Sequence, residues 1–257
     1  MSIYQHFRVD EHPFIDQVLE WKGEVSLAYQ MKLTDFLDPR QQQIISSIIG
    51  NDDEVRLSSW GGTPYSERKR ILLYPSFFEL NDDDFQVCTF NVDYPRKFVT
   101  IEHREVLGSL MSLGMKREKF GDILLHNDTI HIVLASEIAD YVQLNLESIG
   151  RAKIKLNRIP NSEQIKYIDE WEEQGITVSS LRLDLVLSEI YKTSRSKILP
   201  YIEKGVTKVN WKTIEQPSFQ VEEQDHFSVR GFGRSKLISV DGKTKKDKWR
   251  LIIGRKK

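Results

Sequence analysis

The sequence predicts an α+β protein in three parts, and three observations carry that reading. Apolar residues recur at helical spacing near the start, strand and helix periods alternate in a set order from 81 to 160, and charge is divided unevenly along the chain. Residues 177–257 hold eighteen Lys and Arg against nine Asp and Glu, a net of +9. The 176 residues before them hold nineteen against twenty-nine, a net of −10, so the overall −1 conceals two regions of opposite sign. A basic end of this kind is expected to meet a polyanion.

Composition narrows the classes. With 39% hydrophobic and 29% charged residues, the 257-residue chain can bury cores. No window approaches eighteen uninterrupted apolar residues, so no transmembrane helix and no membrane partner are expected. The start, Met1-Ser2-Ile3-Tyr4-Gln5-His6-Phe7-Arg8, lacks the basic-then-apolar layout of a signal peptide. The single cysteine, Cys88, excludes an internal disulfide, and its apolar surroundings from 85 to 92 make it a buried, inert thiol. A reducing, cytoplasmic setting follows. The histidines His6, His12, His103, His126, His131 and His226 show no metal-type spacing with carboxylates, and His126 and His131, flanking a hairpin, are expected at the surface. No metal, cofactor or small-molecule substrate is expected, and the chain is expected to be monomeric.

The first part, 1–80, reads as mostly helical. Phe14, Val18, Trp21 and Val25 lie three and four apart and so share a helix face. A second helix starts at Asp38-Pro39, with Asp38 as cap and Pro39 in the first turn, and ends near Gly50. Ser59-Trp60-Gly61-Gly62-Thr63-Pro64 is a turn, followed by the charged run Glu67-Arg68-Lys69-Arg70.

The second part, 81–160, offers a strand at 85–92 and a helix at 103–113 stopped by Gly114. Two strands at 122–125 and 129–134 flank the turn His126-Asn127-Asp128. A helix at 136–149 capped by Ser136 and a strand at 152–159 complete it. Strand-helix-strand-strand-helix-strand is the ferredoxin-like plait shared by RNA-recognition domains. The aromatic-rich strands by which such domains stack bases are missing here. Residues 161–178, polar and acidic around Trp171, are expected to form a linker with a helical turn or two.

The third part, 179–257, carries the function. After Leu181-Arg182-Leu183-Asp184 comes an amphipathic helix with Leu183, Val186, Leu187 and Ile190 on one side. Thr193 or Ser194 can cap a second helix that runs to Gly205 and contains Pro200, which removes one backbone hydrogen bond. Val206 to Lys212 alternates like a strand, and another strand covers 227–230. The tail, Lys243-Thr244-Lys245-Lys246-Asp247-Lys248-Trp249-Arg250, is expected in a hairpin turning at Asp241-Gly242, with Leu251-Ile252-Ile253 as a packed strand. Arginines near helix starts suit phosphate, because helix N-termini carry free N–H groups and partial positive charge.

Arg182-Leu183-Asp184, Ser194-Arg195, Gly205-Val206, Val209-Asn210 and Pro217-Ser218, in this order and spacing, resemble the RNA-binding domain of small-subunit ribosomal protein S-four. That resemblance implies RNA contacts by Arg182 and Arg195. Ser194 and Asn210 in the matching motifs, and Lys197 near the same helix start, are taken as contacts with them. Lys204, Lys208 and Lys212 either extend the basic surface or are solvated side chains, and Arg230, Arg234 and Lys236 continue it in the basic tail. Over its length the chain also resembles the YlmH family, RqcP-type factors of ribosome-associated quality control. The matching stretches include Lys32-Leu33-Thr34-Asp35-Phe36-Leu37-Asp38-Pro39-Arg40, Lys116-Arg117-Glu118-Lys119-Phe120-Gly121-Asp122-Ile123 and Arg230-Gly231-Phe232-Gly233-Arg234. The resemblance implies rRNA and tRNA as partners on an obstructed large ribosomal subunit, where the factor steadies tRNA while alanine-type tails are added. It also implies an older cell-division label. Lys116, Arg117 and Lys119 are read either as a second RNA contact or as a solvated loop.

The alternatives are an RNA-modifying enzyme, of pseudouridine synthase or methyltransferase type, and a division-linked scaffold. Gly61-Gly62 beside Pro64 is too short for a cofactor loop, and no catalytic aspartate motif precedes Ser179, so no catalytic residue is assigned. Replacing Arg182 and Arg195 together by alanine is expected to weaken RNA binding without unfolding the chain.

Overall fold

Phe14, Val18, Trp21 and Val25 do lie on one helix, α1 (His12–Ala28), which buries Ile15, Val18 and Val25 and leaves through Tyr29 at φ 53°. The computed structural model describes residues 3–50, 52–166 and 171–256, and the chain divides into two units, Met1–Tyr167 and Ile168–Lys257. After α1 come β1 (Lys32–Leu37), α2 (Pro39–Ile49), β2 (Val55–Trp60) and β3 (Lys69–Pro75). The Asp38 carboxylate accepts from the Gln41 amide at 2.9 Å, and the Gln41 side chain takes the Asp38 N–H at 3.0 Å. This reciprocal cap, with Pro39 at the first position, sets where α2 begins.

The three strands form an antiparallel sheet in the order β1-β3-β2. Both helices expected for 1–80 are present, and this three-stranded sheet is an addition that the mostly helical expectation did not include. Strand β1 is irregular between Leu33 and Phe36, where its register with β3 shifts, so its alternation is broken in the sequence.

The plait continues the same unit with β4 (Val87–Asp93), α3 (His103–Ser112), β5 (Phe120–His126), β6 (Thr129–Ala135) and α4 (Ala139–Asn145). It closes with the two-residue strands β7 (Ser148–Ile149) and β8 (Ala152–Lys153), and then β9 (Lys155–Ile159). Sheet order β5-β6-β4-β9, antiparallel throughout, is the ferredoxin-like arrangement. Asn127 and Asp128 both adopt positive φ, as a tight hairpin between twisted strands requires. The helix expected at 136–149 is shorter: Ser136 begins a 3-10 turn, its side chain caps nothing, and 148–149 is already strand.

One face of this sheet, with Phe90, Ile132 and Leu134, joins Val106, Leu110 and Val142 of the helices in one core. The opposite face, where an RNA-recognition domain stacks bases, is covered. A Cβ on Gly121 would lie 2.8 Å from Phe36 of β1, so that ring rests on the sheet, and Phe36 belongs to the plait's core. Asn161 and Gln164 both bond the Thr89 hydroxyl at 2.8 Å, and Ile165 donates its N–H to Nδ1 of His131 at 3.0 Å. His131 is therefore buried, against expectation, while His126 is exposed. Cys88 is buried too, with Nε of Arg158 2.9 Å from its sulfur, and burial pushes its thiol pKa up.

The second unit holds β10 (Trp171–Val178), α5 (Leu183–Ile190), α6 (Arg195–Glu203), β11 (Thr207–Val209), β12 (Lys212–Thr213), β13 (His226–Val229), β14 (Gly233–Lys243) and β15 (Trp249–Lys256). They form one antiparallel sheet, β10-β15-β14-β13-β11-β12, on which the helices bury Leu183, Val186, Leu187, Ile190, Ile198 and Ile202. Three expectations change here. Much of the supposed linker is strand: Trp171–Val178 pairs with β15 along its whole length, while residues 167–170 lie outside the described residues. The strand expected over 206–212 is a hairpin turning at Asn210 and Trp211, both at positive φ. The tail hairpin turns at 244–248, closed by the Thr244 N–H on the Lys248 carbonyl at 2.7 Å, whereas Asp241 and Gly242 sit at an irregularity within β14.

Candidate nucleic-acid interface

Asp184 organises the expected site. It falls in the first turn of α5 on the buried side, is fully inaccessible, and must find partners for its charge. Arg182, in extended conformation just before the helix, donates Nε at 3.1 Å and Nη2 at 3.0 Å to the two carboxylate oxygens. Arg195, the first residue of α6, donates Nε at 2.7 Å. Burial pushes the Asp184 pKa up, but the hydrogen bonds and charges of Arg182 and Arg195 prevail and hold it below the usual carboxylate value. Both guanidinium groups are thereby fixed at helix starts, yet the side chain of Arg182 stays 33% exposed and that of Arg195 51%. Planar forks with one edge fastened and the other toward solvent suit phosphate oxygens.

Around this pair the expected residues divide. Ser194 occupies the cap position of α6, but its hydroxyl pairs with that of Ser196 at 2.9 Å, not with the first-turn amides, and Lys197 is exposed on the same turn. Arg230 and Arg234 flank the β13–β14 turn, where Gly231 and Gly233 take φ near 90°. Phe232 at its tip packs on Tyr191 and Tyr201, and the Tyr191 hydroxyl donates to the Gly233 carbonyl at 3.2 Å. The turn is thus tied to the corner between α5 and α6, four residues before Arg195. Arg255 stands over the Tyr191 ring at 5.6 Å and joins this corner. The sequence reading missed it, although its place in the basic tail was a signal.

Other expected contacts separate. Asn210 is structural: its amide donates to Asp225 at 2.7 Å, and its carbonyl oxygen accepts the His226 N–H at 2.9 Å, which stabilises the left-handed turn. Lys208 pairs with Thr213 and Lys212 with Val209, so the two exposed lysines leave opposite faces of their hairpin. Lys204 is exposed at the end of α6, and Lys236 lies over the Trp171 ring at 4.9 Å.

The second expected patch is largely internal to the first unit. Arg117 donates to the carbonyls of Phe120 at 2.5 Å and Gly121 at 3.3 Å, and burial with the nearby Arg68 charge brings its pKa down to about 10. Lys119 bonds Asp35 of β1 at 2.6 Å and Glu137 at 2.9 Å. Of the three, Lys116 stands exposed. Elsewhere in the first unit the turn Arg96-Lys97-Phe98, with Phe98 87% exposed, presents basic and aromatic side chains together beside Thr129. Its signal in the sequence was the run from Tyr94 to Phe98.

Among the described residues no three His, Cys, Asp or Glu gather as a metal site, and no helix is long and apolar enough to cross a membrane.

Comparison with known proteins adds to this geometry. Residues 10–77 match the family described as "YlmH, N-terminal", and residues 81–163 the one described as "Putative RNA-binding domain in YlmH". A Bacillus subtilis (strain 168) protein, ribosome-associated protein quality control protein P2, is 47% identical over 257 residues, spanning all of this chain and 99% of its own. A solved structure, "Cell division protein ylmH from Streptococcus pneumoniae", superimposes with a TM-score of 0.56 at 32% identity, covering 64% of this chain and all of that one.

Proposed function

The chain belongs to the YlmH family, and we propose that it is a non-catalytic RNA-binding protein that works on the ribosome in the cytoplasm. The finer reading is that it holds rRNA and tRNA on a large subunit obstructed by peptidyl-tRNA, steadying the tRNA during quality control. The observation that carries it is the buried Asp184 carboxylate presenting Arg182 and Arg195 at two adjacent helix starts, in a region of net +9. The name of the Bacillus subtilis relative supports the ribosomal setting. The reading is non-catalytic because these arginines are tied to a carboxylate as a recognition surface, in keeping with the putative RNA-binding domain and the quality-control name of the relative.

The test must respect Asp184. Alanine at both arginines would leave a buried carboxylate unpaired and cost about 3–5 kcal/mol, so the double alanine variant expected to stay folded is the wrong probe. Asp184→Asn with Arg182→Gln and Arg195→Gln removes the charges while keeping hydrogen-bonding groups. Wild-type protein is expected with large subunits in low-salt gradients, the triple variant near the top. Wild-type protein found only at the top would overturn the proposal. The salt dependence of RNA binding should also fall by roughly two phosphate contacts in the variant.

A division-linked scaffold is the second reading, favoured by the name of the Streptococcus pneumoniae relative, a cell division protein. Retention of division proteins on the chain after nuclease treatment would support it over RNA binding.

A further inference from the structure

The first unit exposes an apolar patch that its own core does not use. Leu27, Tyr29 and Met31 follow one another out of α1, with Leu27 84% and Tyr29 64% exposed. The Tyr29 ring lies 6.3 Å from that of Phe77, itself 68% exposed just beyond β3, and Phe77 stacks on Phe78 at 5.1 Å. Glu54 ties the two segments together: its side chain accepts from the Ser26 hydroxyl at 2.8 Å, and its carbonyl accepts the Ser76 N–H at 3.0 Å. Isolated exposed apolar residues are ordinary, but a built cluster of aromatic and aliphatic groups marks an interaction surface.

Charge decides what fits it. The segments that carry the patch, residues 20–32, 52–56 and 76–84, contain nine Asp and Glu against two Lys and one Arg, Arg56. Both lysines are occupied by acids of the same set, Lys22 by Asp52 at 2.6 Å and Lys32 by Glu24 at 2.9 Å. Such a rim repels RNA, anionic lipid and a second copy of the same surface. We propose that this patch docks a basic protein segment, whose apolar side chains cover Leu27, Tyr29 and Phe77 while its Lys and Arg meet the acidic rim. Apolar anchors inside a charged rim are how such surfaces divide affinity from steering. The inference stands apart from the RNA-binding reading, because it uses a different unit and the opposite charge.

The probe is a synthetic amphipathic peptide with leucines along one face and lysines on the others, compared with a version carrying glutamate for lysine and with a single-stranded RNA oligonucleotide. Each is titrated into the full chain at about 0.1 M salt, read by fluorescence anisotropy and by the NMR signal of the Met31 methyl group. The basic peptide is expected to bind and shift Met31. The acidic peptide and the RNA should leave Met31 unmoved. Leu27→Ser with Phe77→Ser, both surface positions, should weaken the basic peptide at least ~10-fold while leaving thermal unfolding unchanged. Four results would each overturn the proposal: no binding of the basic peptide, binding indifferent to the double substitution, a Met31 shift with RNA, or a Met31 shift that depends on protein concentration alone.

Discussion

In the first unit the guanidinium groups of Arg68, Arg70 and Arg117 donate to backbone carbonyls, whereas in the second unit Arg182 and Arg195 are gripped by Asp184 and stay partly exposed. Arg68 reaches the carbonyls of Phe36 at 2.7 Å and Phe120 at 3.3 Å, joining the N-terminal sheet to the plait. The same side chain is thus a fastener in one place and, in the function proposed above, a recognition group in the other. What distinguishes them is burial and the acceptor: Arg68 and Arg70 are buried and meet carbonyls of several segments, Arg70 also the Glu137 carboxylate at 3.1 Å, while a single buried carboxylate holds Arg182 and Arg195 and leaves both side chains partly exposed.

Substitutions can break this contrast, and the largest effect falls on the seam. Arg68→Ala removes two carbonyl partners and a positive charge facing Asp122, and is expected to cost about 3–5 kcal/mol in chemical denaturation. RNA affinity of the folded variant should change less than about 2-fold. A loss of RNA binding without loss of stability would erase the distinction.

The two carboxylates that face these arginines sharpen it with pH. Asp122 accepts the N–H groups of Glu67 at 2.7 Å and Arg68 at 3.1 Å, yet burial and the Glu67 charge push its pKa up to about 6 from 3.8. The folded state holds that proton more tightly, so the Asp122 contribution is fully present below pH 3.8 and is lost as pH rises through about 6. Acidification from pH 7 to 5 should therefore raise wild-type stability relative to Asp122→Asn, with about 3 kcal/mol as the upper bound over the full window. Asp184 behaves oppositely. Its folded pKa is depressed, so its contribution is intact above pH 3.8 and disappears only in stronger acid. Urea midpoints of each protein against its Asn variant, measured across this range, check both signs.

Two smaller effects follow. Gly121→Ala would press a methyl against Phe36 and against Val133 at 3.1 Å, costing about 1–3 kcal/mol if the N-terminal strand rests on the plait as described. A thermal midpoint equal to wild type would contradict that packing. Lys116→Ala, at the exposed member of the second patch, should lower RNA affinity by no more than about 2-fold. A drop of tenfold in filter binding would restore that patch as a principal site.

Local chemistry explains which features were legible. The α2 cap needs only Asp38, Pro39 and Gln41, and the plait's order came from short runs whose periods differ, so both could be read directly. Strand β10 could not. Its residues Glu172, Glu173 and Gln174 are polar, and they become strand because they pair with Arg255, Gly254 and Ile253 some eighty positions away. Asn210 was read as a contact from its motif, but the motif is also what a left-handed turn bonded to Asp225 requires. For Arg117 and Lys119 charge alone suggested RNA, while Asp35, Glu137 and the carbonyls of β5 claimed them in three dimensions.

The sequence by itself determined the α+β class, the strand-helix order of the plait, the concentration of positive charge after residue 176 and the pairing of an arginine with each helix start. These depend on neighbours within a few residues, or on composition. Only the tertiary structure decided which basic groups face outward, that the plait's open face is covered by Phe36 and 161–165, and that an aromatic patch stands in an acidic rim. Exposure and pairing depend on which distant segments fold against one another, and a buried carboxylate or carbonyl takes its donor from whichever chain segment packing brings within hydrogen-bonding distance.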